Sequence, residues 1–185
     1  TNQIIGDGNV LEKVLSSDAE RIRRTLEGID SHSFEEAVRQ IVSAKAIYIL
    51  GARSSSYLAG FLSHSLGMVF DQVRLLQSTS GSEMFEKILR IGQGDVLIAI
   101  SFPRYSKRVI HAVEYARSRH ANVVALTDST QSPIAGYADQ LLIAQSDMAS
   151  FVDSLVAPLS IINALIVAVS RQRSEEVTER LRELE

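Results

Sequence analysis

Five short runs rich in branched apolar residues punctuate this chain, and each is followed by a stretch with helical spacing. The runs are AIYIL (46–50), VRLL (73–76), DVLIAIS (95–101), NVVALTD (122–128) and QLLIA (140–144). Strands of four to seven residues with few polar positions are buried on both faces, so helices must cover both sides of the sheet they form. Right-handed crossovers then leave few arrangements. The commonest for five strands is the order 2-1-3-4-5, whose topological switch lies between strands 1 and 3. The expected fold is therefore α/β, a three-layer sandwich with a five-stranded parallel sheet and flavodoxin-like topology.

The intervening helices have readable signals. Ser17 with Glu20, and Ser33 with Glu36, form two capping-box patterns. The first leads into Ile22, Leu26 and Ile29, the second into Val38, Ile41 and Val42. Residues 55–70 place Leu58, Phe61, Leu62 and Leu66 inward. Ser82 is expected to cap a helix carrying Met84, Phe85, Ile88 and Leu89 and closed by Gly92. Helices follow over 107–119, in a short turn begun by Ser132-Pro133, and over 151–170, with a charged helix from about 174 to the end. In helix 151–170, Leu155, Val156, Leu159, Ile162, Ile166 and Val169 point to the core. Ile161, Leu165 and Ala168 are left for another surface, and a helix apolar on more than one side is deeply buried or forms an interface.

Composition narrows the class. Across 185 residues, 45% are hydrophobic and 22% charged, as in an ordinary globular domain. The net charge of −3 does not suit a free-standing nucleic-acid binder. With no cysteine, disulfides and thiolate chemistry are excluded, which agrees with a cytoplasmic setting. Residues 1–10 have no signal-peptide pattern, and the most apolar stretch, 155–169, is shorter than a membrane span.

Two loops meet at the predicted switch, GARSSS (51–56) and SFPRYS (101–106), and each leads into a helix. A helix N-terminus presents unpaired N–H groups and positive partial charge. Two such ends at one crevice make an anion site, with a phosphate as the natural guest. Ser54, Ser55, Ser56, Ser101 and Ser106 add hydroxyls, and Arg53 and Arg104 add forked donors. A single serine before a helix is usually a cap, and a basic loop alone is usually solvated surface. The pairing of both loops at one switch shifts the balance to an anion site.

The segments IYILGARSSSYLA, GDVLIAISFPRYSKRVIHAVEYARSRHANVVALTDSTQSPIAGYAD and FVDSLVAPLSIINALIVA resemble a sugar isomerase (SIS) domain of the RpiR/MurR-type bacterial transcriptional regulators. The likeness covers roughly 31–170, with 1–30 as a linker-helix region and 171–185 as a C-terminal helical tail. It implies a homodimer that binds phosphorylated sugars, in regulators whose N-terminal helix-turn-helix domain contacts DNA. No helix-turn-helix pattern precedes residue 30, so DNA is expected to be reached only through a domain outside this chain. The family's first loop often reads Gly-x-Gly-x-Ser; Gly51 and Ser55 fit and Arg53 replaces the second glycine. Its second loop often reads Ser-x-Ser-Gly-x-Thr. Here Ser101 fits, Ser106 stands for Thr, and Pro103 and Arg104 replace Ser and Gly. Pro103 lacks both an N–H and a hydroxyl, which removes two donors from the usual cradle.

The resemblance allows either a sensor or an isomerase. An isomerase needs a general base near the substrate. Glu83 is the best carboxylate candidate, although a first-turn acid also suits the helix dipole. Asp128, at the end of strand 4, is placed to touch a sugar hydroxyl or to cap a turn, and Tyr105 extends the second loop. His64 is expected on a helix surface or interface, and Asp153 in the first turns of its helix. No acid/base pair and no metal-ligand cluster stands out, so effector sensing is favoured, with no cofactor, metal or catalytic residue assigned. The alternatives are a phosphosugar aldose–ketose isomerase and a dimerisation module with a degenerate pocket.

Overall fold

The computed structural model describes residues 9–77, 81–147 and 153–174, with residues 178 and 182; for 81–83 only the backbone is described. The sheet contains β1 (Ile47–Gly51), β2 (Val73–Leu75), β3 (Val96–Ile100), β4 (Asn122–Thr127) and β5 (Gln140–Ile143). They pair in parallel in the order β2-β1-β3-β4-β5, as expected. Alternate side chains feed two cores. Ile47, Ile49, Val96, Ile98 and Ile100 pack on one face beneath α2 (Ser31–Ser43), α3 (Ser55–Gly67) and α6 (Val156–Gln172). Tyr48, Leu50, Leu97 and Ala99 pack on the other, beneath α4 (Gly81–Ile88) and α5 (Lys107–Ser118). α1 (Val10–Gly28) lies outside α6.

Both N-terminal capping boxes are corrected. Asn9 caps α1, its side chain accepting from the Glu12 N–H at 3.3 Å, so the helix begins two turns before Ser17. Asp30 caps α2, accepting from the His32 N–H at 3.0 Å and from the Ser33 hydroxyl at 2.7 Å. A carboxylate is the stronger acceptor, and Ser33 becomes its donor rather than the cap. α4 ends at Ile88 rather than near Gly92, and the cap assigned to Ser82 falls on a side chain outside the described ones. The turn after Pro133 is a single 3₁₀ turn, Ala135–Tyr137.

The outward positions also differ. Phe61 is exposed, not inward, and Phe85 and Leu89 are exposed as well. Ile161 and Leu165 of α6 are buried, because α1, α2 and α3 all pack against this helix. The surface it leaves carries Asn163, Ala164 and Val167. α6 starts at Val156 rather than 151, and the preceding Asp153 and Ser154 are tied down by side-chain bonds described below. Most of the charged helix expected after 174 lies outside the described residues.

Register positions the crevice. Gly51 pairs with Ile100, so β1 and β3 end level and their loops leave the sheet side by side. Gly51 is also where α3 comes closest: a β-carbon there would lie 2.3 Å from the Ser55 carbonyl oxygen and 3.1 Å from the Ala59 β-carbon. The contact is with backbone, which cannot swing aside as a flexible side chain can. Only glycine lets α3 start this close to the strand end.

Candidate anion site at the β1/β3 switch

The two loops form adjoining cavities. The smaller, about 20 Å³, is bounded by Ser54 and Ser55 from the first loop and Ser101, Pro103, Arg104 and Ser106 from the second, with Asp153 closing one side. It holds about one water-sized guest. The larger, about 690 Å³, opens toward α4 and α5. Gly51, Ser56, Tyr57, Gln77 and Arg108 line it. Ala52, Arg53 and Ser106 border both. The structure therefore brings together Gly51, Arg53, Ser54, Ser55, Ser56, Ser101, Arg104 and Ser106.

The helix-start serines are not acting as caps. Ser54 precedes α3 and Ser106 precedes α5, yet neither side chain makes a capping hydrogen bond. At α3 the Ser55, Ser56 and Tyr57 N–H groups turn back onto the Ala52, Arg53 and Ser54 carbonyls, whereas at α5 the Lys107 and Arg108 N–H groups have no partner among the described residues. Ser56 is occupied locally, its hydroxyl donating to the Arg53 carbonyl at 2.6 Å. Ser55 and Ser101 are buried in the floor.

Both loops also turn through left-handed backbone. Arg53 has φ 56° and Arg104 has φ 66°. These are the two positions where the resemblance to the SIS family leads one to expect glycine. A β-carbon in this conformation costs about 1–2 kcal/mol. The turns have been kept while guanidinium groups have been installed on them.

Arg104 already has a partner. Its Nη2 donates to Asp153 Oδ2 at 3.1 Å, and the Asp153 side chain is only 5% exposed. Asp153 therefore belongs to the site rather than to a helix turn. The hydroxyl of its neighbour Ser154 donates to Asp18 Oδ1 of α1 at 2.8 Å. Arg21 Nη1 donates to the same oxygen at 3.1 Å and to the Ser17 hydroxyl oxygen at 2.8 Å. Seven residues later on α1, Thr25 Oγ1 accepts from the Gln145 N–H at 3.0 Å. A continuous polar chain thus joins the second loop to the lead-in helix.

Tyr105 and Asp128 line neither cavity. The Tyr105 hydroxyl donates to Asp128 Oδ1 at 2.7 Å, and the Thr127 hydroxyl bonds the same oxygen at 3.1 Å. Burial, followed by this bond to a carboxylate, pushes the Tyr105 phenol up to about 12. The pair braces the second loop against the end of β4. Glu83 sits in the first turn of α4, and its side chain lies outside the described ones. His64 is exposed on α3. No cluster of three metal-ligating side chains occurs among the described residues.

Tyr57, Gln77 and Arg108 line the larger cavity and are not among the site residues read from the sequence. Gln77 follows β2 and donates to the Ser56 carbonyl at 2.9 Å. Arg108, in the first turn of α5, reaches the larger cavity from the opposite side of the sheet to α3.

The SIS domain family model matches residues 40–168, and the chain belongs to this family. It is 29% identical over 136 residues to an uncharacterized HTH-type transcriptional regulator of Haemophilus influenzae, covering 72% of this chain and 46% of the relative. The chain spans under two thirds of the length of the curated regulators it matches first. Among solved structures, the sugar isomerase domain of an RpiR transcription factor from Sphaerobacter thermophilus superposes with a TM-score of 0.88. That match has 26% identity and covers 94% of this chain and 96% of that one. The Vibrio vulnificus NanR protein, solved with ManNAc-6P, gives 0.83 at 22% identity, covering 96% and 68%. Phosphosugar isomerases share the fold.

The two arginines should respond oppositely to glycine. Arg53→Gly relieves left-handed strain, less the extra chain entropy glycine loses on folding, and should stabilise the ligand-free chain by about 0.5–1 kcal/mol. Arg104→Gly relieves similar strain but leaves a buried carboxylate unpaired, and should destabilise it by about 1–2 kcal/mol. Urea denaturation of the two variants checks this; equal shifts would contradict the assigned geometry.

Proposed function

We propose that this chain is the effector-sensing domain of an RpiR-type transcriptional regulator, and that its crevice binds a phosphorylated sugar. The observation that carries the reading is the pair of helix N-termini with unengaged Ser54 and Ser106 hydroxyls, flanked by Arg53 and Arg104. Such a site holds an anion and offers little acid–base chemistry. The one carboxylate among its described lining residues, Asp153, is paired with Arg104. The regulator likeness supports sensing over catalysis, and the isomerase fold match keeps turnover as the alternative to be tested.

On this reading residues 1–30 are the linker to a DNA-binding domain, 31–170 the sensor and 171–185 a tail, in a cytoplasmic protein. No helix among the described residues is long and apolar enough to cross a membrane. The working unit is a homodimer. Val10, Leu11, Leu15 and Leu26 of α1 are exposed, and Leu26, with Ile22 and Phe34, lines an apolar groove of about 430 Å³ between α1, α2 and α6. Apolar surface of this kind is normally covered by a partner.

The signal has a physical route. A phosphate competes with Asp153 for Arg104. Releasing Asp153 loosens Ser154 and its bond to Asp18, so ligand biases how α1 is held.

Three measurements test these statements. A thermal-melt screen against sugar phosphates and their unphosphorylated parents should give a phosphate-dependent rise of roughly 5–10 °C at about a hundredfold excess over Kd. No rise with any phosphate, or turnover of an aldose–ketose phosphate pair, removes the sensor reading. In sedimentation, a monomer at every concentration removes the dimer. With a ligand found in the screen, amide exchange around 18–25 should rise several-fold, while Ser154→Ala should bind ligand without that response. An unchanged response in Ser154→Ala removes the route.

A further inference from the structure

We infer that the ligand's phosphate is held by a two-sided arginine clamp, Arg53 from the first loop and Arg108 from the first turn of α5, and that this clamp selects a terminal phosphate monoester. This deepens the phosphosugar reading above and rests on it.

Size places the phosphate. The smaller cavity, about 20 Å³, takes one water-sized group, so a whole phosphate needs the larger one, about 690 Å³. Arg53 and Arg108 border the larger cavity, and its described lining residues include no carboxylate. Both arginines are exposed. Neither forms an ion pair with a described residue, whereas Arg21, Arg23 and Arg117 each have a carboxylate partner. Arg104 differs from the pair, because Asp153 already holds it. A phosphate taken up by Arg104 replaces one anion with another, and the gain is offset by the buried acid left behind. A phosphate taken up by Arg53 and Arg108 displaces only solvent. Affinity therefore comes chiefly from these two, and Arg104 serves the response.

The two helix starts are unequal in the same sense. The Ser55, Ser56 and Tyr57 N–H groups are bonded within the first loop, so α3 has little to offer an anion beyond the Arg53 side chain. At α5 the Lys107 and Arg108 N–H groups have no partner among the described residues, and the Ser106 hydroxyl makes no capping bond. A phosphate at the start of α5 is faced by Arg108 on that helix and by Arg53 across the crevice. Arg53 takes its place from left-handed backbone, φ 56°, which glycine adopts without strain. Strain of this kind collects at ligand clamps.

The forks set the ligand class. Each guanidinium aims two parallel N–H donors at two oxygens of one anion. A carboxylate has two oxygens and satisfies one fork. A phosphodiester has two free oxygens and a single charge. A phosphate monoester has three free oxygens and a charge of about −1.5 to −2 at pH 7, enough for both forks and the α5 N–H groups.

Inorganic phosphate probes the clamp whatever the sugar. Added at tens of millimolar to the isotope-labelled intact chain, it should shift the Lys107 and Arg108 amide signals and the Nε–H signals of Arg53 and Arg108. Shifts at Ser55, Ser56 and Tyr57 should be smaller. Arg53→Gly and Arg108→Gln should each weaken the fitted Kd about fivefold to tenfold, and the double variant more than either. Arg108→Lys should recover only part of the loss, since an ammonium has no fork. Acetate should bind at least about tenfold more weakly than phosphate. Circular dichroism and melting of each variant establish that it is folded. No amide shift with phosphate, a Kd that stays within about twofold in the double variant, or acetate binding as tightly as phosphate overturns the clamp. None of these outcomes touches the sensor reading, which falls separately when no phosphosugar in the melt screen raises the midpoint.

Discussion

The level ending of β1 and β3 is the constraint on which the site depends. Gly51 lies opposite Ile100, and the carbonyl of Ser55 occupies the space a β-carbon on Gly51 would need. α3 therefore begins almost on top of its strand. The second loop leaves β3 at the same height and places the start of α5 on the other face of the sheet. Two helix N-termini are brought to one crevice by strand register and one missing methyl group. No long-range charge interaction is needed to assemble them, and the serines and arginines only decorate a geometry that the backbone already defines.

Against that geometry the two arginines stand out. The loops retain the left-handed turns that glycine makes easily, yet hold residues for which those turns are strained. A loop drifting toward a solvated turn would be expected to relax its backbone, and neither has. The changes at Arg53 and Arg104 read as retuning of an anion site rather than its decay. Pro103 agrees with this, since the donors it removes are of the kind a guanidinium nearby can replace.

Strand order, the switch point and the two loops were legible in the sequence because each follows from local pattern: short apolar runs, helical spacing between them, and hydroxyl-rich segments at the joins. What was not legible depends on contacts between distant segments. Asp153 was assigned to a helix turn because the apolar spacing of α6 extends back through Leu155. Bonds from Asp153 to Arg104 and from Ser154 to Asp18, 49 and 136 residues away, hold this stretch instead. Asp128 was open between a sugar hydroxyl and a turn cap, and Tyr105 was grouped with the second loop; their hydrogen bond across the ends of β3 and β4 has no local signal. Ser54 and Ser106 could not be separated from ordinary caps by sequence, since the distinction lies in side-chain direction alone. Ile161 and Leu165 were assigned outward because the docking of α1 over α6 leaves no local periodic signal.

That docking gives the crevice its reach. Asp153 and Ser154 are consecutive, and they face different partners: one holds the cation of the ligand loop, the other holds the carboxylate of α1. A two-residue segment so placed cannot lose one partner without changing the constraint on the other. The energies suit a switch. Arg104 is largely exposed, so exchanging one carboxylate for a phosphate on it costs little beyond the buried acid left behind. That cost, about 1–3 kcal/mol, is the size of a typical coupling free energy between two sites. A stronger internal pair would exclude ligand, and a weaker one would transmit nothing. On the proposed reading the Asp153 carboxylate is an internal stand-in for the effector phosphate, next in the chain to the residue that bonds Asp18 of α1.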